Sequence, residues 1–141
     1  MRRYMQTRWR RQSGQSLLET AVMIVVIFTV VFWIFELGWF MYTYSVIADA
    51  ANEGVRHAIV IGGGDVAGTI TTVQAFAGTS LHDISAMTTS VTFPDGSSAP
   101  PNRVRVTVSY QYVPYLPKFF TAVVTMNAYA EGRMVVAING P

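Results

Sequence analysis

Few residues in this chain of 141 could do chemistry. There is no cysteine, which excludes a thiolate metal site, a disulfide framework and a cysteine nucleophile. Two histidines, His57 and His82, and eight acidic residues are scattered singly. His82 and Asp83 are adjacent, but neighbours on one chain do not face each other, and the pair reads as a polar turn. No Ser/His/Asp arrangement, metal-ligand spacing or phosphate loop stands out. Gly62-Gly63-Gly64-Asp65-Val66-Ala67 superficially fits a dinucleotide fingerprint. That fingerprint needs a strand before it and a βαβ unit of ~30 residues around it, and here a helical pattern precedes. The sequence therefore predicts no enzyme, no cofactor and no metal. One carboxylate is left in an unusual place. Glu19 follows Gly14 by five positions and stands at the mouth of a long apolar run. An ionised carboxylate facing lipid costs at least ~2.5 kcal/mol, so it should find a partner. Its alternative is a solvated place among headgroups.

The element that positions Glu19 is the stretch Gly14–Ile61. Leu17 to Phe35 is 19 residues with one charge. At about 1.5 Å per residue that makes about 28 Å of helix, close to the ~30 Å apolar core of a bilayer. Val, Ile and Phe are mediocre helix formers in water, but in lipid only a helix satisfies its own backbone. A membrane-spanning helix is the expectation. Before it, residues 1–14 hold five arginines and no acid, while the rest of the chain holds five basic and eight acidic groups. The net charge of +2 thus belongs to the leader. It does not describe a nucleic-acid surface, which would need Lys/Arg clustered on a folded face. Clustered arginines beside an apolar span keep that end in the cytoplasm. The span is longer than the apolar core of a secretory signal, and no small-residue cleavage site follows it, so a cut after the span is not expected. A cut at Gly14 would leave the anchor in place. Glu36 follows the apolar run at the far interface, where Trp33, Trp39, Phe40, Tyr42 and Tyr44 fit an aromatic belt. Glu36 either reaches water there or faces a partner helix, with Gly38 permitting close approach.

From Ser45 the helix leaves the membrane. Ala48, Ala51, Val55 and Ala58–Ile59 form a narrow apolar stripe at three- and four-residue spacing. Asp49, Asn52, Glu53, Arg56 and His57 take the other side. Glu53 can pair with Arg56 and His57, and His57 reads as a solvated helix residue. One continuous helix of about 45 residues is expected at this periodicity, stopping at Gly62–Gly64. Asp65 then caps a second, short helix, Val66 to Ala77, with Val66, Ile70, Val73 and Ala77 as its apolar face. A small antiparallel sheet of three to four strands completes an α+β fold. Ile84 to Phe93 is its first strand, and Pro94-Asp95-Gly96 with Ser97 to Asn102 makes the turn and loop. Arg103 to Val113 is the clearest strand, Val104, Val106, Val108, Tyr110 and Tyr112 alternating with polar residues. Its valine face should cover the alanine stripe. Pro114 and Pro117 end it, and Phe119 and Phe120 plug a loop or touch the membrane. The last strand, Val123 to Val136, points Val124, Met126, Ala128 and Ala130 inward.

Gly14-Gln15-Ser16-Leu17-Leu18-Glu19 resembles a prepilin peptidase motif: Gly at the cut, an acid five positions on, then an apolar helix. Together with the Arg-rich leader, Glu36-Leu37-Gly38 and Ala50-Ala51-Asn52-Glu53-Gly54-Val55-Arg56, it resembles the TadE-like pseudopilins of tight-adherence, Flp-type pilus systems. The resemblance covers residues 8–62, and the rest matches only in style, with a basic residue, Arg133, near the end of the last strand. It implies processing between Gly14 and Gln15 by a prepilin peptidase, with Glu19 as the assembly residue. Cutting there would free an α-amino group on Gln15, with a reference pKa of about 7.7–8.0. In pilin-like filaments Glu19 is expected to pair with the amino terminus of a neighbouring subunit, so that two charges costly alone become tolerable together.

The chain accordingly divides into a basic leader (1–14), a transmembrane helix (15–44), its extramembrane continuation (45–61) and a small extracytoplasmic module (62–141). The implied location is the bacterial inner membrane, N-terminus cytoplasmic, with the cell-surface pilus as a later destination. The implied partners are the peptidase, other pilin-like subunits, the pilus assembly machinery and the lipid bilayer, with no nucleic acid. A different class also fits: an uncleaved, single-pass anchored module that binds another envelope component.

Overall fold

The structure is a computed structural model that describes residues 3–61, 64–115 and 123–135, with side chains from residue 14 onward. Helix α1 runs Arg3–Ile61 without interruption, so helical backbone starts well before Gly14 and the helix is longer than expected. Helix α2 (Val66–Gly78), a 3-10 turn (Ile84–Ala86) and strands β1 (Met87–Thr92), β2 (Arg103–Tyr112) and β3 (Val124–Arg133) follow. The expected α+β fold is found, with a three-stranded antiparallel sheet in the order β1-β2-β3. The chain forms two compact units, residues 1–38 and 39–141.

The first unit holds the apolar part of α1. It is long and apolar enough to cross a membrane, and none of its most apolar window is buried. Val22, Ile27, Phe28 and Phe35 are all exposed. The threonines of this stretch satisfy themselves, Thr20 Oγ1 donating to the Ser16 carbonyl at 2.9 Å and Thr29 Oγ1 to the Val25 carbonyl at 2.8 Å. That back-bonding is what lets hydroxyls sit in an apolar helix without unpaired donors.

The second unit is built on the rest of α1. Thr43, Val46, Ile47, Ala50, Ala51, Gly54, Val55 and Ala58 are buried. These positions follow the i, i+3, i+4, i+7 rhythm of one helix face. The face is wider than the stripe read from sequence and includes Ile47, Ala50 and Gly54, because the sheet and α2 both pack on it. A Cβ on Gly54 would stand 2.4 Å from Val73 Cγ2 of α2 and 3.1 Å from Val106 Cγ1 of β2, so all three elements meet there. A Cβ on Gly132 would stand 2.6 Å from Val55 Cγ1 of α1. Opposite the large Val104, Val106 and Val108 of β2, strand β3 offers Gly132, Ala130 and Ala128. The small residues of β3 make room for the helix. Val104, Val106 and Val108 are fully buried, each contributing about 1.5–3 kcal/mol by leaving water.

Several local expectations shift for stated reasons. Asp65 caps α2 as expected, its Oδ1 accepting from Gly68 N at 2.8 Å. The buried face of α2 is Thr69, Val73 and Ala77, while Val66 and Ile70 are only half-buried. Thr69 can be buried because its hydroxyl donates to the Asp65 carbonyl at 2.9 Å. Ile84–Ala86 is a 3-10 turn and not strand, because the Asp83 carboxylate accepts from Ser85 N (2.9 Å) and Ser85 Oγ (2.6 Å). The turn at Gly96 forms with φ +80°, which glycine adopts without strain. Val124, expected inward, is exposed at the end of β3. Gly62, Gly63, Pro117, Phe119, Phe120 and Val136 lie outside the described residues.

The outer face of the sheet is polar and laced across the strands. Arg105 pairs with Glu131 directly opposite and lies 5.3 Å from the Tyr129 ring. Ser109 and Asn127 are opposite each other and hydrogen-bonded at 2.7 Å. Arg103 ties the turn to the sheet, its backbone N and guanidinium Nη2 each donating to Asp95 at 2.8 Å. These bonds from Arg103 hold the Asp95 carboxyl down at about 2.

Candidate functional site

The residues singled out for processing and assembly all lie on the exposed part of α1. Gly14, Gln15 and Glu19 are exposed helix residues, and a Cβ on Gly14 would meet nothing within 4 Å. Gln15 and Glu19 are one helical turn apart and so share a face. Glu19 therefore lies within one turn of the backbone nitrogen that a cut after Gly14 would turn into an amine. Glu36 is half-buried. Gly38 has open space where a Cβ would be, and a neighbouring backbone could approach there.

The continuation of α1 holds residues that sequence reasoning misplaced. His57 is not a solvated helix residue. It is half-buried, with Nδ1 3.3 Å from the Thr69 hydroxyl of α2. Helical periodicity does not reveal this partner, because α2 comes from beyond the Gly62–Gly64 break. Glu53 keeps its expected pairing with Arg56 at 3.7 Å. Phe40, expected in the aromatic belt, also has a partner in the sheet. Its ring packs edge-on against Tyr112 of β2 at 5.4 Å. Trp39 contacts Tyr42 (5.4 Å) and, edge-on, Tyr115 (5.6 Å).

One cleft of about 340 Å³ lies at this end of the second unit, lined by Trp39, Leu81, His82, Tyr110, Tyr112 and Tyr115 among others. Burial pushes the Tyr110 hydroxyl up in pKa, and the Ser85 hydroxyl and amide hold Asp83 down. A stabilised carboxylate in a capping turn and a neutral phenol do not make an acid–base pair. Among the described residues no group of three or more His, Asp or Glu could hold a metal ion.

Among the described residues α1 is the one helix long and apolar enough to cross a membrane, and its apolar part is exposed, as a membrane anchor requires. A family model described as TadE-like protein matches residues 14–56. The match runs from Gly14 to Arg56, over the Gly14–Glu19, Glu36–Gly38 and Ala50–Arg56 segments that carried the resemblance, and it leaves out the Arg-rich leader. It stops before α2 and the sheet. No curated protein and no solved structure matches the chain.

Proposed function

We infer that the protein is a pilin-like subunit of a tight-adherence pilus system. A prepilin peptidase cuts it between Gly14 and Gln15, and it takes part in pilus assembly or secretion. The observation that carries this reading is the coincidence of three features at one place: Gly14, Glu19 five residues on, and the start of an exposed apolar helix that matches the TadE-like family. Each charge, the new amine and Glu19, is costly near lipid, and pairing between neighbouring subunits offsets both costs. The leader holds the N-terminus in the cytoplasm of the bacterial inner membrane, and the module of residues 62–141 lies on the other side.

The test is the intact mass of the membrane-extracted protein, from cells with and without the matching peptidase. Loss of residues 1–14 only when the peptidase is present is the expected result. An uncut chain under both conditions overturns it. One observation favours the second reading, an uncleaved anchored module that binds another envelope component. Helix α1 runs unbroken through the Gly14–Gln15 bond, so a peptidase must first unwind that turn. Glycine at the bond lowers the cost of unwinding, since it is about 1 kcal/mol poorer than Ala in a helix.

A further inference from the structure

The second unit has two unlike ends, and their direction follows from three contacts. Phe40 packs on Tyr112, Gly54 lies against Val106, and Ile59 lies against Gly132, which pairs with Val104. From Phe40 to Ile59 the helix climbs about 28 Å, and from Tyr112 back to Val104 the strand covers about 26 Å. Strand β2 therefore runs antiparallel to α1. Its Arg103 end carries the Asp95, Arg103, Arg105 and Glu131 ion pairs. Its Tyr112 end lies roughly 30 Å away, beside the turn of α1 that continues into Gly38.

At that second end His82 and Asp83 line the cleft beside Trp39 and Tyr115, but the described helix and strand segments that frame it are uncharged. Trp39–Ser45, Tyr112–Tyr115 and Val123–Thr125 contain no acidic or basic residue. It nevertheless exposes large apolar groups: Val113 60%, Tyr115 59%, Val123 54%, Tyr42 46% and Trp39 41%. The Trp39 ring touches both Tyr42 and Tyr115, so the helix and the β2–β3 end of the sheet form one aromatic patch. The patch is continuous along the chain with the membrane-spanning segment. Trp and Tyr, apolar at one end and polar at the other, suit the headgroup level.

We propose that this end of the module is a collar seated on the bilayer surface, with lipid as its partner. Val113 and Val123 enter the acyl boundary, and Trp39, Tyr42 and Tyr115 lie among the headgroups. The collar rests on the membrane-anchored reading of α1 and is independent of cleavage and of which side the module occupies.

The chain has no cysteine, so single spin labels can be placed on the full-length protein in nanodiscs of phosphatidylethanolamine and phosphatidylglycerol. Labels at Val113→Cys and Val123→Cys should collide with oxygen more than with a water-soluble nickel chelate. A label at Ser97→Cys, in the loop at the charged end, should show the reverse. Ile27→Cys reports the anchor. Nickel access at Val113→Cys and Val123→Cys equal to that at Ser97→Cys, with Ile27→Cys still in lipid, overturns the collar alone. Protection of both sites from both reagents means that protein covers the patch, and this also overturns it. Nickel access at Ile27→Cys overturns the anchor and the collar together.

Discussion

Gly54→Ala tests the architecture where it is tightest. In an isolated helix the change should stabilise by about 1 kcal/mol. In this protein the new methyl would lie 2.4 Å from Val73 Cγ2 and 3.1 Å from Val106 Cγ1. Both valines are 0% exposed, so neither can swing into solvent. Forcing a methyl into a filled core costs about 1–3 kcal/mol, and immobile neighbours place this site toward the upper end. Subtracting the propensity gain leaves a net loss of about 1–2 kcal/mol. For a unit of this size that lowers Tm by roughly 4–16 °C. The assay is thermal unfolding of the full chain in detergent, followed by circular dichroism. Gly54→Ala with Val73→Ala should be more stable than the two single losses add up to, because the new methyl fills part of the space that Val73 leaves. A rise in Tm for Gly54→Ala, by the amount that propensity predicts, would refute the three-element crossing.

Two further outcomes follow. Glu19→Ala should leave the amount of membrane-anchored protein unchanged and abolish its recovery in filaments sheared from the cell surface; normal recovery would remove the charge-pairing argument. The Asp95 carboxyl, at about 2 in the folded protein against 3.8 unperturbed, stabilises fully above its unfolded value and loses that contribution as pH falls toward 2. Thermal midpoints should therefore decline from about pH 4 down to pH 2, and Asp95→Asn should flatten that decline; an unchanged profile would exclude the Arg103 contact as its source.

The elements that a single periodic signal specifies were legible in the sequence. The apolar length of α1, the Asp65 cap, the Gly96 turn and the alternation of β2 each depend on neighbours in the chain. What escaped depends on contacts between distant segments. The buried face of α1 runs through Thr43, Ile47, Ala50 and Gly54, yet a glycine and a threonine do not look like core until two bodies crowd one face of the helix. His57 looked solvated because its partner, Thr69, lies beyond the glycine break. Strand β1 starts three residues later than its apolar pattern suggests, because a capping aspartate outweighs the extended preference of Ile84. Of the candidate site, the order Gly14, Glu19, apolar helix is local and was readable. The patch that joins Trp39 to Tyr115 was not, since it needs the register of β2 against α1.

That register also limits which face of α1 a neighbouring subunit could use under the proposed function. A long helix with an alanine-rich half could in principle pack that half on a neighbouring subunit. Here Ala50, Ala51, Gly54 and Ala58 are buried, under the chain's own sheet and second helix. Opening them to a neighbour would expose Val73, Val104, Val106 and Val108, each at about 1.5–3 kcal/mol. For the pilin-like subunit proposed above, a helix contact with a neighbour would therefore be cheapest along the exposed part of α1, where Gly14, Glu19 and Gly38 lie. In the same stretch a carboxylate at the edge of an apolar helix is costly until paired, so the surface left free for partners is also the one with a reason to acquire them.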